Sequence, residues 1–254
     1  MSMLHFYDHP GPASAPPLVI AHGLYGSGKY WGAIARKLAA DRRVIAVDMR
    51  NHGDSPWSST HHYTDLGADL VELAESLGTP IDLLGHSMGG KASMMATLTR
   101  PDLIRKLIVA DIAPVTYSHT QMMYIDAMRG IDLSNLERRS QAEAALRAVI
   151  DDPILPSFFT QSLDLKAKRW KLNLDTLAQE MQAILSFPEV TGHFTGPTLF
   201  LTGATSSYVL PEHRERIKAL FPKAKFAKIP GAGHWLHAEK PAEFEAAVRH
   251  FLAA

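Results

Sequence analysis

Three short stretches of the chain carry side chains that could perform nucleophilic catalysis. In "GHSMGG" (85–90), Ser87 stands in the pattern G-x-S-x-G, with an apolar run before it and a helical pattern after it. Small neighbours permit the sharp turn that lifts a seryl hydroxyl above a sheet edge. A helix starting at Met88 would point its free N–H groups at the same spot, where they favour negative charge. A chance Gly/Ser turn would require neither flanking element. Serine is a weak nucleophile without a base, and the fold, not sequence proximity, must bring that base. The chain has 13 histidines, so context decides among them. His234, in "IPGAGHWLHAEKP" (229–241), follows a strand-like run and a Gly-rich turn and precedes the last helix. That puts it on the same sheet edge as Ser87. His237 is expected near the start of that helix or on its surface.

The imidazole needs an acceptor for its Nδ1–H, to fix the tautomer and stabilise the imidazolium. The loop after "PTLFLTG" (197–203) reads "GATSSYVL" and has no carboxylate; Ser206 or Ser207 stands where one could be. Glu212, the next one downstream, belongs to a helix and is expected to point away. Upstream, "KLIVADI" (106–112) ends in Asp111. Its strand should neighbour the one that delivers Ser87, and adjacent strands are only about 5 Å apart. Asp111 is therefore the expected acid. Two alternatives stay open: Asp111 as no more than a cap for the turn toward Pro114, and Ser206 with a water orienting the histidine instead.

The third stretch, "AHGLYGSGKYW" (21–31), supports two readings. From Gly23 it is G-x-x-x-x-G-K, nearly a phosphate-binding loop. That loop needs Ser or Thr after its lysine to hold Mg²⁺, and the chain has Tyr30 there. It would also leave Ser87 and His234 without a role. From His22 it is a turn whose next N–H, that of Leu24, can join the N–H of Met88 as an oxyanion hole. The second reading uses all three stretches at once.

Elements able to position these groups alternate along the chain. The runs 17–23, 43–49, 81–87, 106–112 and 197–203 are apolar and too short for buried helices, and "KFAKIPG" (225–231) is a further strand-like run. Helical patterns fall at about 29–39, 63–78, 88–100, 211–220 and 240–252. Such alternation predicts an α/β fold with a mostly parallel, doubly wound sheet. Between residues 113 and 196 there is no convincing strand, but helices are expected near 118–129, 140–150 and 174–186. Ser140 and Glu143 suggest a capping box for the second of these. "KAKRWK" (166–171) reads as a solvated helical face, with docking of an anionic group as the alternative. The expected organisation is a core of residues 1–112 and 197–254, with a helical cap, 113–196, inserted between two late strands.

Composition narrows the function. Lys plus Arg and Asp plus Glu are 26 each, so no basic face for nucleic acid is implied. Hydrophobic residues are 46% and charged residues 20%, which excludes disorder. Cysteine is absent, which removes disulfides, thiol chemistry and Cys-ligated metal. No apolar run reaches membrane-spanning length, and the N-terminus lacks a signal-peptide pattern. A cytoplasmic location is expected, with no membrane or nucleic-acid partner.

The motif set "HGLYGS", "VDMRNHGDSP", "GHSMGG", "ADIAPV" and "GAGHWLHAEKP" resembles the α/β-hydrolase superfamily, and within it the YbfF-like esterase and thioesterase branch. The resemblance covers essentially the whole chain. It implies the α/β-hydrolase fold and a Ser-His-acid hydrolase of short acyl esters, with acyl-CoA thioesters as a further substrate class, under a helical cap. Asn51 stands where many members have Gly in the loop D-x-R-G-H-G, and Asp48, Arg50 and His52 are expected to be scaffold. The expected site is Ser87, His234 and Asp111, with Leu24 and Met88 as oxyanion donors, Ser206 auxiliary, and Phe158, Phe159, Trp170 and Trp235 in the pocket wall. No metal or cofactor is required. A cofactor-free perhydrolase or haloperoxidase on the same triad and a non-catalytic ligand receptor are the competing functions. A haloalkane dehalogenase would need Asp in place of Ser87.

Overall fold

The computed structural model describes residues 4–254. Among the described residues nine strands form: β1 (Phe6–His9), β2 (Leu18–Ala21), β3 (Val44–Val47), β4 (Ile81–His86), β5 (Ile104–Ala110), β6 (Leu163–Asp164), β7 (Arg169–Trp170), β8 (Thr198–Gly203) and β9 (Ala224–Ile229). Seven make one sheet in the order β1-β3-β2-β4-β5-β8-β9, parallel throughout except for β1, which runs antiparallel on β3. The parallel strands β2, β3, β4, β5 and β8 are covered on both faces, and alternate residues serve opposite sides. In β2, Val19 and Ala21 face one core and Leu18 and Ile20 the other. The first core takes the apolar faces of α2 (Tyr63–Ser76), α3 (Met88–Thr99) and α9 (Arg214–Leu220). The second takes α1 (Gly32–Leu38) and α11 (Pro241–Ala253). Burial on both faces is why these strands read as unbroken apolar runs.

Close backbone approach sets where α3 can lie. A Cβ on Gly89 would sit 2.3 Å from the Ala21 carbonyl oxygen, and one on Gly85 would sit 2.2 Å from that of Gly89. Only glycine lets the helix pack this tightly against β2 and β4.

The segment between β5 and β8 carries α4 (Met122–Arg129), α5 (Arg139–Arg147), α6 (Leu155–Thr160), α7 (Leu174–Gln179) and α8 (Met181–Leu185). Its apolar residues form a third core, including Ile125, Leu146, Phe159, Trp170 and Leu177, closed from the sheet side by Tyr25. Three details differ from expectation. Residues 163–170 form the β6–β7 hairpin, with Lys168 at φ 52°, so "KAKRWK" is a turn and strand and not a helical face; its Lys171 pairs with Asp54 at 2.7 Å. The start of α5 is capped by Gln141, whose Oε1 accepts the Arg138 N–H at 2.8 Å. Ser140 lies inside the helix and Glu143 pairs with Arg147. Finally, β1 was not expected: an edge strand with only part of its surface covered shows little apolar pattern. No helix among the described residues is long and apolar enough to cross a membrane. The last short helix before α11 is α10 (Leu236–Glu239).

Candidate active site

Register brings the functional side chains together. His86 of β4 pairs with Ala110 of β5, and Ala110 pairs with Leu201 of β8. Ser87 and Asp111 each follow the last residue of their strand, so both leave the sheet at one level. The backbone seals this arrangement: Ser87 N–H donates to the Ala110 carbonyl at 3.0 Å, and Asp111 N–H donates to that of Leu201 at 3.0 Å. Both residues adopt φ 52°. Positive φ costs a non-glycine residue on the order of 1–3 kcal/mol, and it persists where the surroundings enforce it. Here it turns both side chains out of the strand direction toward a common point.

His234 arrives from the loop between β9 and α10. Its Nε2 lies 3.1 Å from Ser87 Oγ and its Nδ1 lies 2.8 Å from Asp111 Oδ2. Asp111 is fully buried, and its other contacts come from the turn after β8: Gly203 N–H donates to Oδ1 at 3.1 Å and Ser206 Oγ donates to Oδ2 at 2.5 Å. Ser206 therefore touches the carboxylate, not the histidine. Glu212 lies at the start of the next helical turn and is exposed. The imidazole plane of His234 is fixed by Tyr208, stacked on it with ring centroids 3.9 Å apart, and its carbonyl accepts a hydrogen bond from His86 Nε2 at 2.9 Å.

The N–H groups of Leu24 and Met88 donate to no other group among the described residues. The Leu24 turn is braced from behind. Tyr25, at φ 64°, donates its N–H to His52 Nε2 at 3.1 Å, while His52 Nδ1 is 2.9 Å from the Arg50 carbonyl. His22 repeats the pattern, accepting the Met49 N–H on Nε2 and donating from Nδ1 to Gly23 O. Burial pushes the His22 imidazole down to about 4 and that of His52 down to about 3, so both rings are neutral braces. Asp48 holds Gly28 N–H at 2.7 Å and Asp54 N–H at 2.9 Å. The glycine turn that resembled a phosphate loop thus has its donor occupied by Asp48, and Lys29 is exposed. Ligating atoms of His5, Asp48 and Asp54 lie within 4.8 Å of one another, but the Asp48 oxygens already serve these N–H groups. Asn51 sits at φ 64°, the left-handed region that explains both the usual Gly and the tolerated Asn at this position. Its side chain also receives Asn173 Nδ2 at 3.0 Å, joining the sheet loop to the inserted segment.

A cavity of about 220 Å³ opens at Ser87, with Leu24, Met88 and His234 on its wall. Phe159 and Trp235 border it, as expected. Phe158 and Trp170 do not. Phe158 packs behind Trp235 and against Tyr30, and Trp170 is buried inside the inserted segment with its Nε1 on the Met128 carbonyl at 3.0 Å. His237, expected near the start of the last helix or on its surface, lies in α10 just before α11, with its ring stacked on Trp31 at a centroid distance of 4.3 Å. The remaining wall includes Tyr63, Lys91, Tyr117, Tyr208 and Ile184. Sequence reasoning passed over all of these. They come from three helices and two loops spread along the chain, and none belongs to a motif.

The model of the Alpha/beta hydrolase family matches residues 18–247. The mouse protein named sn-1-specific diacylglycerol lipase ABHD11 is 41% identical over 96% of this chain and 83% of its own length. Esterase YbfF of Escherichia coli is 36% identical over 93% of this chain and 92% of its own. Among solved structures, a marine microorganism esterase superposes with a TM-score of 0.93 at 38% identity, covering 98% of this chain and 99% of that one.

Proposed function

The chain belongs to the alpha/beta hydrolase family and is a carboxylic ester hydrolase, and we propose that Ser87 is its nucleophile, His234 its general base and Asp111 the acid that orients His234. The observation that carries this reading is the hydrogen-bonded line from Ser87 Oγ through His234 to Asp111, at 3.1 and 2.8 Å. Ser87 Oγ attacks the acyl carbonyl carbon while its proton passes to His234 Nε2. Charge develops on the carbonyl oxygen and is met by the N–H groups of Leu24 and Met88, each donor of this kind contributing roughly 3–4 kcal/mol. Collapse expels the alkoxide, which takes the proton from His234, and leaves an acyl-enzyme. Water then repeats the two steps and frees the acid. Asp111 stabilises the imidazolium and holds its orientation.

Residues 113–196 act in this reading as a cap whose lower surface closes the acyl pocket. At about 220 Å³ the cavity is smaller than the ~300 Å³ at which pockets for drug-sized ligands begin, and this supports short acyl groups. A fluorophosphonate probe and a panel of p-nitrophenyl esters and acyl-CoAs test the assignment together. Ser87→Ala should lose labelling and lower kcat by on the order of 10⁴–10⁶ with the fold intact by circular dichroism. Undiminished labelling of that variant refutes the nucleophile. Peroxide-dependent turnover exceeding ester hydrolysis would favour a perhydrolase, and wild-type protein inert to the probe would favour a receptor.

A further inference from the structure

Lys91 lies on α3 one turn beyond Ser87, about 6 Å along the helix axis, and borders the same cavity. It is only 1% exposed. Its Nζ donates to the carbonyls of Leu185 at 3.0 Å and Ser186 at 2.5 Å, and lies over the rings of Tyr117 at 4.8 Å and Tyr63 at 5.3 Å. No carboxylate among the described residues pairs with it. A buried ammonium without a counter-ion is costly, and it is ordinarily paired or lost to deprotonation. Burial pushes this one down to about 7. An ammonium has three donors and two are engaged by carbonyls, so one remains beside a cavity whose wall also carries Tyr63, Tyr117, Ile112 and Ile184. The only carboxylate on that wall, Asp152, is occupied by the N–H groups of Ile154 and Leu155 through its Oδ1.

We propose that Lys91 is the counter-ion site for a carboxylate at the distal end of the acyl chain, and that half-esters of dicarboxylic acids are preferred over neutral esters of the same length. The proposal rests on Ser87 as nucleophile and on this cavity as the acyl pocket. A carboxylate entering the pocket meets a charge already stripped of water, and the charge-assisted hydrogen bond it forms is of the stronger kind. A neutral alkyl chain leaves the ammonium unmatched.

The test compares ethanol release from half-ethyl esters of dicarboxylic acids of four to ten carbons with release from ethyl esters of monocarboxylic acids of the same lengths. The readout is the ratio of the two kcat/KM values, in which the shared steps at Ser87 and His234 cancel. In wild type the ratio should exceed one at an optimal length, and in Lys91→Met it should fall roughly 10–100-fold, with partial retention in Lys91→Arg. A clamp that merely holds Leu185 and Ser186 would lower both substrates together and leave the ratio unchanged, which overturns the proposal.

Should Lys91→Met fail to fold, the wild-type pH profile decides. Between pH 6 and 8.5 these carboxylates stay ionised, and Tyr63 and Tyr117, pushed up by burial, stay neutral. His119, which is exposed and held below the ordinary histidine value by partial burial and by the nearby His234 and Lys91, is neutral over most of the range. His234 and Asp152 act on both substrates, so deprotonation of Lys91 is the change that separates them. A ratio that falls as pH rises supports the site, and a flat ratio overturns it. Neutral esters cleaved normally by Ser87→Ala would instead overturn the nucleophile assignment beneath it.

Discussion

Lowering the pH from 7.5 to 5 should remove a large part of the folding free energy, through histidines that never touch the substrate. His22 and His52 are 1% and 0% exposed, and each uses both ring nitrogens, one donating and one accepting a backbone N–H. Adding a proton puts a donor opposite a donor inside an apolar wall. Burial accordingly lowers the two groups to about 4 and about 3 from 6.5. Because the folded values lie below the unfolded one, the stabilising contribution is complete above about pH 6.5. It is lost progressively as pH falls toward the folded values. At pH 5 the unfolded chain gains RT ln(1 + 10^1.5), about 2 kcal/mol per ring, while the folded rings bind almost no proton. That figure depends on the unfolded value and the pH, and hardly at all on the folded value while it stays below 5. Two rings give about 4 kcal/mol, against a typical total of about 5–15. His61 and His86, buried and also held well below their ordinary value, act in the same direction.

Urea unfolding at pH 7.5, 6.5, 5.5 and 5 measures this directly. The slope of ΔG against pH between 6 and 5 should approach two protons from these two rings alone, or about 2.4 kcal/mol per unit, with His61 and His86 adding to it. Ring NMR signals of these histidines should stay at their neutral positions down to pH 5. A slope below one proton, or rings that titrate near 6.5 in the folded protein, refutes the reasoning. Since His52 holds the Tyr25 N–H behind the Leu24 turn, activity should be lost along with stability.

Two further outcomes follow from the geometry. Asp111→Asn should lower kcat by roughly 10²–10⁴, because the asparagine amide stabilises the wrong tautomer of His234 and supplies no charge. Ser206→Ala, which removes one donor to that carboxylate, should cost about 10-fold or less, and steady-state kinetics on p-nitrophenyl butyrate separates the two. In the pocket wall, Phe159→Ala should change the ratio of kcat/KM between short and long acyl chains by about 10-fold. Trp170→Phe should leave that ratio alone and destabilise the protein by about 1–2 kcal/mol, since it strands the Met128 carbonyl.

What the sequence disclosed and what it withheld divide along physical lines. Strands buried on both faces, such as "LVIA" (18–21), are legible because every residue obeys the same demand for apolarity. The hairpin at Leu163–Trp170 pairs two residues with two, too few for any period to show. Helix α6 is six residues long and opens with Pro156 near its first position, so its pattern never completes two turns. Ser87 and His234 were legible because turn chemistry surrounds them with glycines. Lys91, Tyr63 and Tyr208 were not, because their roles arise from contacts with residues distant in the chain: Lys91 with Leu185 across 94 positions, Tyr63 with Ile184 across 121, and Tyr208 with His234. Nothing local marks a lysine that will be buried.

The acid role proposed for Asp111 shows how such a site can be built from a neighbouring strand. Superfamily members commonly carry it in the turn after the strand that is β8 here, yet that turn offers only Ser206 and Ser207. His86 and Ala110, the last residues of β4 and β5, lie level with Leu201 of β8, so a side chain leaving β5 starts one strand spacing, about 5 Å, from β8 and just below the turn that follows it. A positive φ at Asp111 supplies the remaining rotation. The β8 turn does not lose its part in the process. Gly203 N–H and Ser206 Oγ both donate to the Asp111 carboxylate, occupying lone pairs that a buried carboxylate could not leave empty. The two sequence alternatives for orienting His234, Asp111 or Ser206, thus describe successive links of one hydrogen-bond chain. In the proposed triad a carboxylate at the end of β5 supplies the charge, and a serine from the β8 turn, hydrogen-bonded to it, keeps it aimed.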